Sequence, residues 1–321
     1  MRIFITGATG FIGSAIVREL VEAGHDVTGL ARSAAGVASL GALGAKASRG
    51  TIEDREVLKR EAAAADGVIH TAFFHALSHA SLGTRARILF GGPPARIVAR
   101  FAAAAVDADR RAIETFGDAL GARRGKLVIA FPTMAMAAGR PAQETDNADR
   151  TAVGGARALS EQTALSLVRT GVNAEVVRLP PSVHDETKLG LVARLIEIAR
   201  KKRMSAYLGE GHNRWAAVHR LDASRLFRLA LENGEAGARY HAVAEEGMAF
   251  RHIAEAIGRD LDVPVVSLSA KDAAKHFGWL APFVGADNPA SSQITRERLA
   301  WLPRHPSLMT DIAAFLRDRH R

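Results

Sequence analysis

Apolar and polar positions alternate along this chain in blocks that switch between strand and helix periodicity. Met1-Arg2-Ile3-Phe4-Ile5-Thr6 is a short β-branched, apolar run and predicts a strand. Gly7-Ala8-Thr9-Gly10-Phe11-Ile12-Gly13 follows at once. Ile16, Val17, Leu20 and Val21 then recur at helical spacing, with Ala23-Gly24 as the stop. Asp26-Val27-Thr28-Gly29-Leu30 predicts a second strand, followed by Ala31-Arg32-Ser33. Lys46 to Arg49 leads into Gly50-Thr51-Ile52-Glu53-Asp54, and Val57, Leu58 and the alanines after Glu61 predict a helix. Gly67 to Ala72 predicts a fourth strand, Phe101 to Leu120 a long helix, and Lys126 to Phe131 a buried strand. A helix over 156–170 and a strand over Ala174 to Leu179 complete the alternation.

This β-α order predicts an α/β protein with a doubly wound parallel sheet, the Rossmann arrangement, carrying helices on both faces. The character changes after Pro180-Pro181. A basic amphipathic helix is expected over Gly190 to Arg203, an extended segment over Trp215 to Leu221, and a helix over Asp222 to Leu231 with an acidic cap. Phe250 to Leu261 reads as a helix, Val263 to Leu268 as a short strand, and the tail ends in a helix around Leu308 to Arg319. We therefore expect a nucleotide-binding domain at 1–179 and a smaller, interleaved substrate lobe at 180–321. Residues 239–243 are expected to return to the main sheet. Residues 79–100 read as a long insertion, either a lid or a solvent-exposed or oligomer-contacting segment.

The chemistry begins at the glycines. Placed between a strand and a helix, they let the backbone pass close to a pyrophosphate, and the helix N-terminus adds free N–H groups and partial positive charge. The spacing is GxxGxxG. At the end of the second strand an acidic residue would bind a ribose, whereas a basic one accommodates a 2′-phosphate. Arg32 and Ser33 stand there and no carboxylate does, so NADP is expected over NAD. Ligands in such sheets lie at the carboxyl ends of strands. The expected cofactor set is accordingly Gly7, Ala8, Thr9, Gly10, Phe11, Ile12, Gly13, Arg32, Ser33, Thr51, Ile52, Thr71, Ala72, Phe73, Phe131 and Pro180.

Composition changes this picture little. The chain has 321 residues, 48% hydrophobic, and a formal charge of +9 from 43 Lys and Arg against 34 Asp and Glu. The charges are interspersed, and two tyrosines and three tryptophans give little to interleave for base stacking, so no nucleic-acid partner is expected. With no cysteine, thiolate chemistry and cysteine-held metal are excluded. No apolar run is long enough to cross a bilayer and no signal-peptide pattern opens the chain, so a cytoplasmic location is the default and no membrane partner is expected.

Four stretches together resemble the short-chain dehydrogenase/reductase superfamily, in its extended or atypical branch of epimerase/dehydratase-like proteins. They are Thr6 to Gly13, Asp66 to Ala72, Arg178 to His184 and Ala217 to Asp222. The resemblance implies an NADP-binding Rossmann domain, a C-terminal substrate lobe and nicotinamide chemistry in a cleft between them. A homodimer through helices flanking the sheet is common in that superfamily. Its usual Tyr-x-x-x-Lys pair is missing here. Four residues beyond Tyr207 and Tyr240 stand Gly211 and Ala244, so neither makes the motif. By alignment Arg157 takes the tyrosine position and Glu161 the lysine position. Thr133, 24 residues before Arg157, matches the upstream hydroxyl, and Asp109 matches the helix asparagine.

The expected catalytic set is then Thr133 to orient the substrate oxygen, Arg157 to hold negative charge or a substrate carboxylate, Asp109 to relay protons or pair with Arg157, and His75 as general acid. Phe73, His184 and Trp215 are candidates to wall the substrate. HExxH is absent, and His75 and His79 have no third ligand in sequence, so no metal is expected. The favoured activity is an NADPH-dependent oxidoreductase of a small carbonyl or alcohol. The alternatives are a non-catalytic NADP-binding sensor and an NAD(P)-dependent epimerase or dehydratase.

Overall fold

The computed structural model describes residues 1–318, so the Arg319 end expected for the last helix lies outside the described residues. In chain order the elements are β1 (Arg2–Thr6), α1 (Phe11–Glu22), β2 (Asp26–Ala31), α2 (Ala34–Ala42), β3 (Lys46–Arg49), α3 (Arg55–Ala64), β4 (Gly67–His70), α4 (Leu82–Phe90) and α5 (Ile97–Leu120). There follow β5 (Lys126–Pro132), α6 (Ala158–Ser166), β6 (Asn173–Leu179), β7 (Ser182–His184), α7 (Val192–Lys202), β8 (Ser205–Leu208), β9 (Arg214–His219) and α8 (Arg220–Asn233). The chain closes with β10 (Arg239–His241), β11 (Glu245–Ala249), α9 (Phe250–Leu261), β12 (Val265–Leu268), α10 (Ala270–Phe277), α11 (Ala281–Val284), α12 (Gln293–Leu299) and α13 (Leu308–Asp318).

The chain forms two compact units. The first comprises Met1–Phe131, Ala156–Val177 and Ser224–Arg239. It is built on a seven-stranded sheet of order β10-β6-β5-β4-β1-β2-β3. β1 pairs in parallel with β2 on one side and β4 on the other, in registers Ile3↔Val27 and Ile5↔Ile69. Strand order therefore reverses at β1, and the carboxyl end of β1 is where an open α/β sheet offers a crevice. Ile3, Phe4, Ile5, Val68, Ile69, Leu127, Val128 and Ile129 are buried, as strands covered on both faces must be. Phe116 of α5 meets Phe4 edge-on, with ring centroids 6.3 Å apart.

The second unit comprises Pro132–Gly155, Arg178–Ala223 and Tyr240–Arg321, of which the last three residues lie outside the described range. It holds a three-stranded sheet, β11-β9-β7, and a two-stranded parallel sheet, β12-β8. β7 and β9 are parallel, with His184 opposite His219, and β9 and β11 are antiparallel. One apolar core joins Leu195, Ile196, Trp215, Phe250, Ile253, Ile257, Phe277, Leu308 and Ile312.

Four local expectations change. Residues 79–100 are not a long irregular loop: they hold α4, a 3-10 turn at Pro94–Arg96 and the first turn of α5. Ser81 caps α4, and Glu53 accepts from the Ser81 N–H and the Thr84 hydroxyl, which pins its N-terminus. The expected strand Gly67 to Ala72 ends at His70. The helix expected over 156–170 breaks into a 3-10 turn at Gly155–Arg157, α6, and a second 3-10 turn at Leu167–Thr170. α8 begins two residues before Asp222, which instead accepts the Arg304 and His305 N–H groups at 2.9 and 3.0 Å.

Candidate functional site

The loop between β1 and α1 has the form a pyrophosphate needs. Gly7 sits at φ +73°, a left-handed conformation that favours glycine. The Gly10 N–H donates to the Gly7 carbonyl at 2.8 Å. A Cβ on Gly13 would lie 2.0 Å from the Gly7 carbonyl oxygen, and one on Gly7 would lie 2.8 Å from the Ala72 nitrogen. Among the described residues no side chain caps α1, and its first turn has no acidic residue. The orphan N–H groups of that helix end are thus left for an anion. These residues fit a dinucleotide. Ala8 is buried, Thr9 and Gly10 are exposed, and Phe11 and Ile12 are half-buried.

The other expected cofactor residues sit at strand ends. Arg32 and Ser33 follow β2 and are exposed. The Ser33 hydroxyl accepts from the Gly36 N–H at 3.1 Å and caps α2, which leaves its own proton to donate. Arg32 lies close enough to His79 that its charge, after desolvation, helps hold that imidazole below its usual value. Thr51 and Ile52 follow β3; the Thr51 hydroxyl accepts from the Glu53 N–H, and Ile52 is buried. Thr71 follows β4 and donates its hydroxyl to the Thr6 carbonyl at 2.9 Å, while Ala72 and Phe73 are half-buried. Phe131 is buried in β5, and Pro180, in the second unit, is buried after β6.

Arg157 is the hub of a buried polar chain in the first unit. Its Nε and Nη2 face the Asp109 carboxylate at 3.2–3.4 Å, and Nη2 also donates to the Ala130 carbonyl at 2.8 Å. Its guanidinium carbon lies 4.5 Å from the centre of the Phe73 ring. Asp109 has no exposed surface. Burial alone would raise its pKa, but Arg157 and the His70 hydrogen bond outweigh that and hold the carboxyl below its ordinary value. His70 Nε2 lies 3.1 Å from Asp109, and His70 Nδ1 lies 2.6 Å from the Thr6 hydroxyl. With the ring proton on Nε2, Thr6 donates to Nδ1. Neither Thr6 nor His70 stood out in the sequence, because a polar residue ending a buried strand reads as packing.

Glu161 is buried and faces Arg239, 3.7 Å away, rather than Arg157. His75 follows Phe73, with ring centroids 5.6 Å apart. His75 is exposed to solvent, yet desolvation by the groups around it, the Arg157 charge and His79 hold its pKa below the usual imidazole value. Thr133, in the second unit, is fully buried. Its hydroxyl donates to Asn288 Oδ1 at 2.6 Å, and Asn288 Nδ2 donates back to the Thr133 carbonyl at 2.8 Å. In this arrangement the Thr133 proton is committed to Asn288.

Trp215 lies in the second unit. It has no exposed surface, packs edge-on against Phe250 and donates its indole N–H to the Phe283 carbonyl, so it fills the core of the second unit. His184 is buried as well, with Nδ1 2.7 Å from Asp311. Burial drives its pKa down to about 4. Asp311 is pushed up to about 6, chiefly by burial. Among the described residues Glu186, His219 and Asp311 each offer one ligand atom within 4.8 Å of the others, a cluster invisible in sequence because 125 positions separate its outer members. However, His219 Nδ1 accepts the Leu221 N–H, which puts the ring proton on Nε2 and leaves no free lone pair for an ion.

Comparison with known proteins agrees with this architecture. The profile of the NAD dependent epimerase/dehydratase family matches residues 3–90. An uncharacterised protein of Schizosaccharomyces pombe is 44% identical, covering 98% of this chain and 99% of that protein. A 4-hydroxy-2-methyl-3-oxo-4-farnesyl-3,4-dihydroquinoline-1-oxide ketoreductase of Stigmatella aurantiaca is 26% identical, over 90% of this chain and 84% of that protein. The crystal structure of a dTDP-glucose 4,6-dehydratase of Streptomyces venezuelae superposes with a TM-score of 0.73 at 19% identity, covering 99% and 96% of the two chains. With its glycine loop kept between β1 and α1, the chain belongs to the NAD-dependent epimerase/dehydratase family, in the atypical branch of the extended short-chain dehydrogenases/reductases.

Proposed function

We propose that the protein is an NADPH-dependent oxidoreductase acting on a small carbonyl or alcohol substrate. The glycine cradle before an uncapped helix carries the cofactor reading, and exposed Arg32 at the end of β2, where no carboxylate stands, favours NADP over NAD. The likeness to a ketoreductase favours reduction. When bound, the nicotinamide supplies hydride.

The rest of the chemistry falls to the chain. Gly7 to Gly13 bind the pyrophosphate, and Arg32 with Ser33 grips the 2′-phosphate. Thr51, Ile52, Thr71, Ala72, Phe73, Phe131 and Pro180 complete the cofactor contacts. Arg157, held by Asp109, stabilises negative charge on the substrate oxygen, and His75 serves as the general acid. For Thr133 to serve substrate it must exchange Asn288 for the substrate oxygen. The second unit takes the role of substrate lobe, with His184 as a supporting residue.

An epimerase or dehydratase is the second reading, favoured by the family profile. It is weakened because proton removal in such enzymes leans on the tyrosine–lysine pair that Arg157 and Glu161 replace. Fluorescence titration with NADPH and NADH is the test. Arg32→Ala is expected to weaken NADPH at least about tenfold, a loss of about 1.4 kcal/mol, and NADH hardly at all. Equal losses for the two would remove the phosphate-clamp assignment, and no binding of either by the unaltered protein would remove the whole reading.

A further inference from the structure

Arg157 stands where a phenol would be expected, and its hydrogens can be accounted for one by one. A guanidinium has five N–H donors. Nε and one Nη2 hydrogen face Asp109, and the other Nη2 hydrogen goes to the Ala130 carbonyl. Among the described residues Nη1 has no hydrogen-bond partner. The forked edge that grips a carboxylate with two parallel bonds is therefore already used. What remains is one nitrogen, suited to one oxygen atom. Phe73 covers its face at 4.5 Å, and the chain Thr6–His70–Asp109 holds its other edge.

Among the described residues no protonated acid is in contact with this donor, whose partners are Asp109, Ala130 and Phe73. An arginine cannot be deprotonated in a protein. Tyr240 is buried, and Tyr207 lies in β8 with the Arg251 guanidinium 5.5 Å from its ring centre. The Thr133 proton is bound to Asn288. His75 is held below its ordinary pKa, which disfavours its protonated form. Reducing an isolated ketone here would leave a localised alkoxide with no proton at hand. A conjugated carbonyl avoids that problem: hydride arriving at the carbon β to the carbonyl shifts the π pair, and the charge settles on oxygen as a delocalised enolate. Water then supplies the proton.

Resting on the reductase reading, we infer that Arg157 Nη1 is an oxyanion-holding subsite and that the substrate is an α,β-unsaturated carbonyl, quinones included. Thr6 and His70 are positioning residues that act through Asp109.

The probe is 4-nitrophenol, whose coloured phenolate is a delocalised oxyanion that titrates near neutral pH. Mixed with the full-length protein and saturating NADP, it is expected to ionise about one pH unit lower than in buffer, a tenfold preference for the anion. Arg157→Gln abolishes that shift with NADPH affinity unchanged by fluorescence. Arg157→Lys keeps part of it, and His70→Gln reduces it. In steady state, cyclohexenone or a benzoquinone is expected to react about 100-fold faster in kcat/KM than cyclohexanone. An unshifted probe, a shift that survives Arg157→Gln, or equal turnover of saturated and conjugated ketones overturns the inference while the reductase reading stands. Failure of the unaltered protein to bind NADPH overturns both.

Discussion

Glu175 should make the protein less stable as the pH rises. It lies in β6 with no exposed surface, and among the described residues neither carboxyl oxygen has a hydrogen-bond partner. The side chain fills the space beside Gly234, where an added Cβ would come within 2.7 Å of Glu175 Oε2. Lys126 pulls its pKa down, but that ammonium is spent on the Leu231 and Glu232 carbonyls. Burial wins and pushes the carboxyl from 4.5 up to about 9. The folded protein therefore holds a proton that the unfolded chain releases above pH 4.5. The stability this proton supports is complete below that pH and is lost as the pH climbs toward 9. Each unit of pH costs about 1.4 kcal/mol, so the loss is about 3 kcal/mol at pH 7 and about 5 kcal/mol at pH 8.5. Glu175→Gln keeps the size and hydrogen-bonding poverty of the protonated acid and removes only the titration. Urea unfolding at pH 5, 7 and 8.5 should show the variant nearly equal to wild type at pH 5 and increasingly more stable above it. Curves of stability against pH that run parallel for the two proteins would refute the reasoning.

Two further outcomes follow from the packing. Gly13→Ala places a methyl 2.0 Å from the Gly7 carbonyl, so the loop must open; NADPH affinity measured by fluorescence should fall more than about tenfold while the circular dichroism spectrum is kept. Asp222 is buried and accepts the Arg304 N–H, the His305 N–H and His305 Nδ1, so Asp222→Ala should lower unfolding free energy by about 3 kcal/mol, with Asp222→Asn milder, in the same urea assay.

Legibility in the sequence tracked how local the cause was. The glycine loop needs only thirteen contiguous residues, and its strand, turn and helix can be read from spacing alone. Phe250–Leu261 was equally plain, because an amphipathic stripe declares itself within one helix. α4 was hidden: flanked by glycines and prolines and crowded with Arg85 and Arg87, it is anchored by Glu53, about 30 positions earlier. The Rossmann end of the candidate site was legible for the first reason. The polar chain was not, since His70 meets Asp109 from 39 positions away and Asp109 meets Arg157 from 48.

The resemblance puts Arg157 and Glu161 at the tyrosine and lysine positions, and spacing alone misleads about how the two behave. Four residues apart on a regular helix, these two would pair and cancel. Arg157 ends the 3-10 turn that precedes α6 and caps that helix, and its guanidinium pairs with Asp109. Glu161 turns to Arg239, and Arg157 turns inward to a carboxylate with no exposed surface. A buried Asp109 left without its cation would be costly, and a guanidinium fixed there keeps one donor nitrogen unspent. Arg157 thus holds a permanent charge here. On the proposed reading, chemistry at this position works by holding a negative oxygen rather than by giving it a proton.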